Sequence, residues 1–597
     1  MRVRPNTVGV AVLQLSPLRL LNRQLDRRLT ASLAIFAIVI SHSVSTVAAD
    51  TKDARSSKEP VWQHGAVAAD HPLASQAGVE VLRRGGNVVD AAVAVGFALS
   101  VLRPASSGLG GGGFMVIWDA DKQKSVALDY RERAPRSVSR ETYETAAGES
   151  RKGGLAVGVP GHVRGLCHAL EKYGSLPLAE VLEPALRYAT AGMPLDEHET
   201  VLRKSLASSV DRTDERFSAL REQYLFDGNV PKAGSQVTSP QSRALTLIAE
   251  QGPDAFYRGA IAEAIVELVR KHGSGMTLDD LARMDVVERP VLAAEYSGFN
   301  VLTMPPPSSG GIALIETLNI LDSLENDKLC LALDRGRQDE HYCHVLTEAM
   351  KHAFADRAEF LGDADFVDVP VKRLTGREYA QKLAGRIKLE KTQPPAAYGR
   401  YIPKDDAGTT HFCVIDAKGN AVACTETINT TFGSWLVEPQ FGIVLNNEMD
   451  DFTTAAGRPN AFGLIQSEAN AIAPRKKPLS SMTPTILVKD GKAVFVAGAS
   501  GGPRIISSTL QVILNMSRFG MTPEQAVRSP RIHHQWLPNT LLLEPGVMAQ
   551  FGESLQKQYG HAVSQSSGLA ATQAASRSDD GLRAASDPRK HGQAAGY

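Results

Sequence analysis

Residues 405–435 read DDAGTTHFCVIDAKGNAVACTETINTTFGSW, and the pattern in that stretch decides how the chain folds. Two apolar runs, residues 411–415 and 421–428, flank Asp-Ala-Lys-Gly-Asn, which is the layout of a β-hairpin. A three-residue loop of Ala417, Lys418 and Gly419 puts glycine where the backbone needs positive φ. That register sets Asp416 against Asn420, Cys413 against Ala423 and Thr409 against Thr427, so the two threonines share one face of the sheet. Thr409 also follows Gly408 in a polar segment. A cut between them makes threonine a new N-terminus, whose free α-amine can serve as base for its own hydroxyl. On its own, Thr-Thr at the head of a strand is ordinary β-propensity, so catalysis needs support from elsewhere in the chain.

That support comes from further motifs in order along the chain: LGGGGFM and DYRERAP upstream, then NNEMDDF, PLSSMTPT and SGGPRI downstream, with ASDPR and GY at the end. Together with the hairpin they resemble the γ-glutamyltranspeptidase family of N-terminal-nucleophile hydrolases, over residues 64–597. The resemblance implies an α/β fold, a four-layer αββα sandwich of two intertwined subunits made from one precursor. Residues 50–408 form the large subunit and 409–597 the small catalytic one. It implies an autoprocessing zymogen that acts as γ-glutamyltransferase and glutathione hydrolase. A γ-glutamyl-Thr ester passes to water or to an amino acid or dipeptide. Glutathione and other γ-glutamyl compounds are the implied partners, the two subunits pair as a heterodimer, and no cofactor or metal is called for.

Site residues follow position by position. Arg131 ends a strand over residues 125–130, where an arginine is by itself an ordinary surface charge; the match of DYRERAP implies that it grips a substrate α-carboxylate. Ser480 and Ser481 read as turn formers, and the resemblance implies that they donate to the same carboxylate. The acids after residues 442–446 are interleaved with Met449 and Phe452, so they are partly buried and need a positive partner. The resemblance assigns Asn429, Glu448 and Asp451 to a substrate ammonium. Gly501 and Gly502 follow a strand and offer unobstructed N–H groups to an oxyanion. Thr409, Thr427, Gly501 and Gly502 are therefore the catalytic set, with cleavage between Gly408 and Thr409. PNAFGL has Phe462 where relatives with a loop over the site often carry tyrosine, so a loop over residues 459–473 lacks that hydroxyl. Two rivals share part of this pattern: a β-lactam side-chain acylase acting on glutaryl or cephalosporin substrates, and an inactive, uncleaved binding member.

At 597 residues, the chain exceeds what one small core needs. Lys+Arg and Asp+Glu both count 65, so no basic excess points to nucleic acid. Arg27 and Arg28, an apolar run over residues 29–40 and small residues up to Ala49 have the layout of a signal peptide over residues 1–49. The expected location is periplasmic or secreted; the alternative is a retained anchor. Five cysteines, Cys167, Cys330, Cys343, Cys413 and Cys424, form no disulfide framework and read as buried thiols. Residues 66–100 read as small-residue helices, the second beginning at Asp90 and buried throughout. The glycine run 110–113 lacks a P-loop lysine and reads as tight backbone packing before a strand. Residues 154–389 read mainly as amphipathic helices, interrupted by the rigid turn 305–311. His341, His344 and His352 have no carboxylate or cysteine partner at zinc spacing and read as surface or packing histidines. Residues 390–407 read as a tether leading to the cut.

Overall fold

The two apolar runs form the expected hairpin, which lies in the middle of a seven-stranded sheet. The computed structural model describes residues 59–145, 149–326, 339–400, 408–453 and 467–597. The signal-peptide reading, Cys330, residues 401–407 of the tether and Phe462 lie outside the described residues.

Along the chain come β1 (Gly65–Ala69), α1 (Pro72–Arg83), α2 (Val88–Leu102), β2 (Gly112–Asp119) and β3 (Lys124–Asp129). A largely helical stretch includes Ser242–Gln251 and Ala260–Lys271. It leads to β4 (Val287–Arg289), β5 (Leu292–Tyr296), β6 (Phe299–Thr303), α3 (Gly310–Asn326) and α4 (Glu340–Phe360). Then follow β7 (Thr409–Asp416), β8 (Ala421–Thr427), β9 (Thr485–Lys489), β10 (Lys492–Ser500) and α5 (Arg504–Ser517). The chain closes with β11 (Ala571–Ser578), β12 (Gly581–Ser586) and β13 (Ala595–Gly596).

One sheet has the order β13-β1-β7-β8-β2-β3-β4, the other β12-β11-β10-β9-β6-β5. Three cores separate four layers. Val93, Phe97 and Leu99 of α2 pack with Val414 and Val422 on the outer face of the first sheet. Ala68, Val116 and Cys413 meet Ile486 and Val496 between the sheets. Leu314, Leu346 and Leu510 of α3, α4 and α5 cover the second sheet with Leu487 and Ala497. This is the αββα sandwich. Both sheets mix strands from before and after Gly408: β7 pairs with β1, β8 with β2 and β9 with β6. The described residues before and after Gly408 are thereby intertwined.

The hairpin register is Thr409 opposite Thr427, Cys413 opposite Ala423, and Asp416 N–H to the Asn420 carbonyl at 3.1 Å. Gly419 takes φ +92°, the left-handed turn position. Cys413 and Cys424 are buried free thiols on opposite faces, and Cys167 and Cys343 are likewise buried and free. Asn87 caps α2 with a reciprocal bond to Asp90, and every residue of that helix is buried. One expectation is corrected. The helical reading from Ala66 is wrong for Gly65–Ala69, an apolar run of five that forms a buried strand between β7 and β13. So short a run carries no decisive periodicity, and pairing on both edges decides it.

The glycine run does what close approach requires. A Cβ on Gly113 would stand 2.6 Å from the Thr425 carbonyl oxygen, and one on Gly112 2.6 Å from that of Tyr130. Among the described residues no helix is long and apolar enough to cross a membrane.

Candidate active site

Thr409 begins β7 directly opposite Thr427, the last residue of β8, and their hydroxyl oxygens are 3.4 Å apart. Both are buried. Thr427 is committed in two directions: its oxygen accepts the Asn429 N–H at 2.8 Å, and its hydrogen goes to the Gly408 carbonyl. The carbonyl of the Gly408–Thr409 bond is thus polarised by a donor beside the hydroxyl next to it. Gly408 takes φ +117°, and a Cβ there would come within 2.8 Å of the Thr430 backbone. Only glycine fits at that bond.

Lys590, which the sequence reading passes over, donates from Nζ to the Thr409 carbonyl at 2.5 Å and to Ser500 Oγ at 2.8 Å. Asp70 Oδ2 stands 3.3 Å from the same ammonium and accepts Thr410 Oγ1 at 2.8 Å. Ser500 ends β10, and Gly501 and Gly502 follow it at φ +139° and +62° into α5. The glycine pair therefore begins one residue beyond a serine that shares its lysine with Thr409.

Glu448–Asp451 form a single buried 3-10 turn. Asn446 anchors that turn to the glycine run. Its Oδ1 accepts Gly158 N and Glu448 N at 2.9 and 3.0 Å, and its Nδ2 donates to the Gly110 and Gly158 carbonyls at 2.8 and 2.9 Å. Asn429 also reaches this segment, donating to the Asn447 carbonyl at 3.0 Å.

Arg131 lies at the centre. Its Nη1 is 2.7 Å from Glu448 and its Nη2 2.5 Å from Asp451, while Nε donates to the Pro478 carbonyl at 3.3 Å. The sequence reading keeps a carboxylate-binding arginine and ammonium-binding acids as separate poles; in the structure they are in contact. An arginine only 1% exposed needs counter-charges, and these acids supply them. Burial would lower the Arg131 pKa, but Glu448 and Asp451 more than offset it and hold it above the ordinary value. Glu132 is fully buried, and desolvation lifts its carboxyl above the ordinary range against the pull of Arg131. Two carboxylates, Glu448 and Asp451, thus face the one guanidinium of Arg131.

Ser480 and Ser481 are held by the proline turn that the sequence marks at 305–311. Ser480 N–H donates to the Pro307 carbonyl at 3.0 Å, and its own carbonyl accepts Ser309 N and Oγ at 2.7 and 2.6 Å.

The histidine reading needs correction. His344 does have a carboxylate partner one turn along α4: Glu348, with His561 arriving from far along the chain. His344 Nδ1 is 2.8 Å from His561 Nε2, and Glu348 already accepts from Lys351 and Thr392 at 2.9 and 2.8 Å. Their polar atoms satisfy one another, and His344 stacks on Tyr559 with centroids 4.4 Å apart.

A family model described as Gamma-glutamyltranspeptidase matches residues 74–597. The glutathione hydrolase proenzyme of Escherichia coli (strain K12) is 41% identical over 536 residues, covering 88% of this chain and 90% of the relative. Glutathione hydrolase 3 of Arabidopsis thaliana is 40% identical over 486 residues, 81% of this chain and 74% of the relative. Among solved structures, the cephalosporin acylase from Bacillus halodurans superposes with TM-score 0.78 at 27% identity, covering 92% of this chain and 99% of that one. The Helicobacter pylori gamma-glutamyltranspeptidase aligns with TM-score 0.51 at 36% identity over 54% of this chain and 92% of that one.

Proposed function

Because the chain belongs to the γ-glutamyltranspeptidase family, we propose that Thr409 is the nucleophile of both its self-cleavage and its turnover. The protein is an autoprocessing γ-glutamyltransferase and glutathione hydrolase. The observation that carries the assignment is the Thr427 hydroxyl on the Gly408 carbonyl, 3.4 Å from the Thr409 hydroxyl.

In self-cleavage the Thr409 hydroxyl attacks the Gly408 carbonyl carbon, Thr427 donates to the oxygen as charge develops, and the C–N bond breaks to leave an ester and a free α-amine. Water then hydrolyses the ester, giving a carboxylate at Gly408 and threonine as N-terminus. In turnover that α-amine takes the hydroxyl proton as the oxygen attacks the γ-carbonyl of the donor. Gly501 and Gly502 receive the oxyanion on their N–H groups. The proton passes to the departing amine, and water or an acceptor amine opens the γ-glutamyl ester. Holding both ends of the donor places its carbonyl against the hydroxyl, an orientation that can contribute several kcal/mol toward lowering the barrier.

Arg131, Ser480 and Ser481 take the α-carboxylate; Glu448, Asp451 and Asn429 take the α-ammonium. Two acids sharing the single guanidinium of Arg131 suit a donor that brings an ammonium. The cephalosporin acylase likeness raises the rival reading, and a glutaryl group lacks that ammonium. Amino acids or dipeptides are the proposed acceptors, and residues 1–49 are proposed to direct export to the periplasm or medium.

Sequencing the N-terminus of both purified pieces tests the assignment. A small piece starting at Thr409 and a large one starting near Asp50 are expected, with release from a γ-glutamyl anilide exceeding that from a glutaryl anilide. A small piece starting elsewhere, or a preference for glutaryl, overturns it.

A further inference from the structure

Arg357 projects from α4 and is 6% exposed. Its Nε donates to Ser309 Oγ at 2.9 Å and its Nη2 to Ser481 Oγ at 2.9 Å. One planar guanidinium thus spans the proline turn and the serine pair, two segments distant in the chain.

The direction of these bonds has a chemical consequence. A serine hydroxyl carries one hydrogen and two lone pairs. Ser481 Oγ accepts from Arg357, so its hydrogen is available to donate elsewhere. Ser480 Oγ accepts the Met482 N–H at 3.1 Å and is left in the same condition. Among the described residues no group accepts either hydrogen. Two hydroxyls loaded on their lone pairs and open on their hydrogens suit an anionic acceptor. Arg357 also brings positive charge to one of them, whereas Arg131 is already engaged by Glu448 and Asp451.

We propose that Arg357 is a positioning residue that turns the Ser481 hydroxyl hydrogen toward the substrate α-carboxylate and so sets the preference for donors carrying one. The proposal rests on the reading of Ser480 and Ser481 as the carboxylate site. A lysine could not replace it: a single ammonium cannot reach both Ser309 and Ser481 in fork geometry.

The experiment measures kcat/KM for γ-glutamyl p-nitroanilide and for 4-aminobutyryl p-nitroanilide, the same donor without its α-carboxylate, and takes the ratio. Arg357→Lys and Ser481→Ala should each lower that ratio about tenfold, mainly through KM for the γ-glutamyl donor. The double variant should be no worse than the more affected single variant, because the arginine acts through the serine. A merely structural arginine would depress both substrates alike and leave the ratio unchanged, which overturns the proposal. If Ser481→Ala itself leaves the ratio unchanged, the carboxylate-site reading fails and takes the proposal with it. A lowered ratio for Ser481→Ala beside an unchanged one for Arg357→Lys overturns only the role of Arg357. Should Arg357→Lys not yield two processed pieces, Ser309→Ala removes one arm of the fork with the arginine in place. A smaller fall in the ratio supports the proposal and an unchanged ratio overturns it.

Discussion

The hairpin carrying Thr409 and Thr427 closes over 18 residues, whereas Arg131 and Asp451 meet across 320 and Arg357 and Ser481 across 124. The first region is held by a backbone ladder whose register leaves the threonine side chains no choice of partner. The second is held by side-chain charge and hydrogen bonds in a buried space, where each group is tolerable only because its partners are present. A substitution in the hairpin should therefore strike chemistry and spare the fold, while one in the charged cluster should strike both.

Thr409→Ala is the sharpest test of that contrast. It should leave one uncut chain on a denaturing gel and reduce anilide release by at least ~10³-fold, with the thermal midpoint nearly unchanged. A large drop in midpoint would break the comparison. Arg131→Met should do the opposite, leaving Glu448 and Asp451 buried without their cation. A stability loss of ~3–5 kcal/mol in denaturant unfolding is expected, along with loss of donor binding. Retention of full stability would show that the acids find compensation elsewhere.

A third change probes the seam between the sheets. Gly498 on β10 faces the His411 ring of β7, and a Cβ there would overlap the imidazole. Gly498→Ala should cost ~1–3 kcal/mol by overpacking, with Thr409 displaced enough to slow self-cleavage on a gel time course.

The most gradual effect is a pH slope. Glu426 on β8 is fully buried, and burial lifts it to about 8, while the neighbouring His162 is pushed by burial down to about 3. Between about pH 4.5 and 8 the folded state holds the Glu426 proton that the unfolded chain has released. Stability from this group is therefore complete below that window and falls as pH rises through it, by at most ~1.4 kcal/mol per pH unit. Glu426→Gln should flatten that fall in melting curves taken across the window. His162 contributes the reverse slope between about pH 3 and 6.5 and offsets the fall there, so the Glu426 slope stands alone between about pH 6.5 and 8.

Much of the site was legible because its parts lie in short, strongly patterned segments. The two apolar runs 411–415 and 421–428 and the glycine at 419 specify the hairpin, and with it the threonine pair. The four glycines before β2 announce close backbone approach, and Val444, Thr427, Thr425 and Tyr130 are what approaches. Gly65–Ala69 was misread because five apolar residues have no period to measure. Lys590 gave no signal, since nothing in a C-terminal Arg-Lys-His says that its ammonium reaches a carbonyl 181 residues away. Glu348 beside His344 was visible as an i, i+4 pair and was overlooked; His561 was not visible at all.

By itself the chain determined the two apolar runs, the turn between them, the glycine ahead of Thr409 and the family motifs, all consequences of covalent neighbours and local backbone geometry. Only the tertiary structure decided that Arg131 is neutralised by the two acids, that Arg357 loads the Ser481 oxygen, and that Lys590 reaches Thr409. Such partners are chosen by desolvation. A charge removed from water must take whatever counter-charge the packed layers bring within a few ångströms, and sequence distance has no part in that choice.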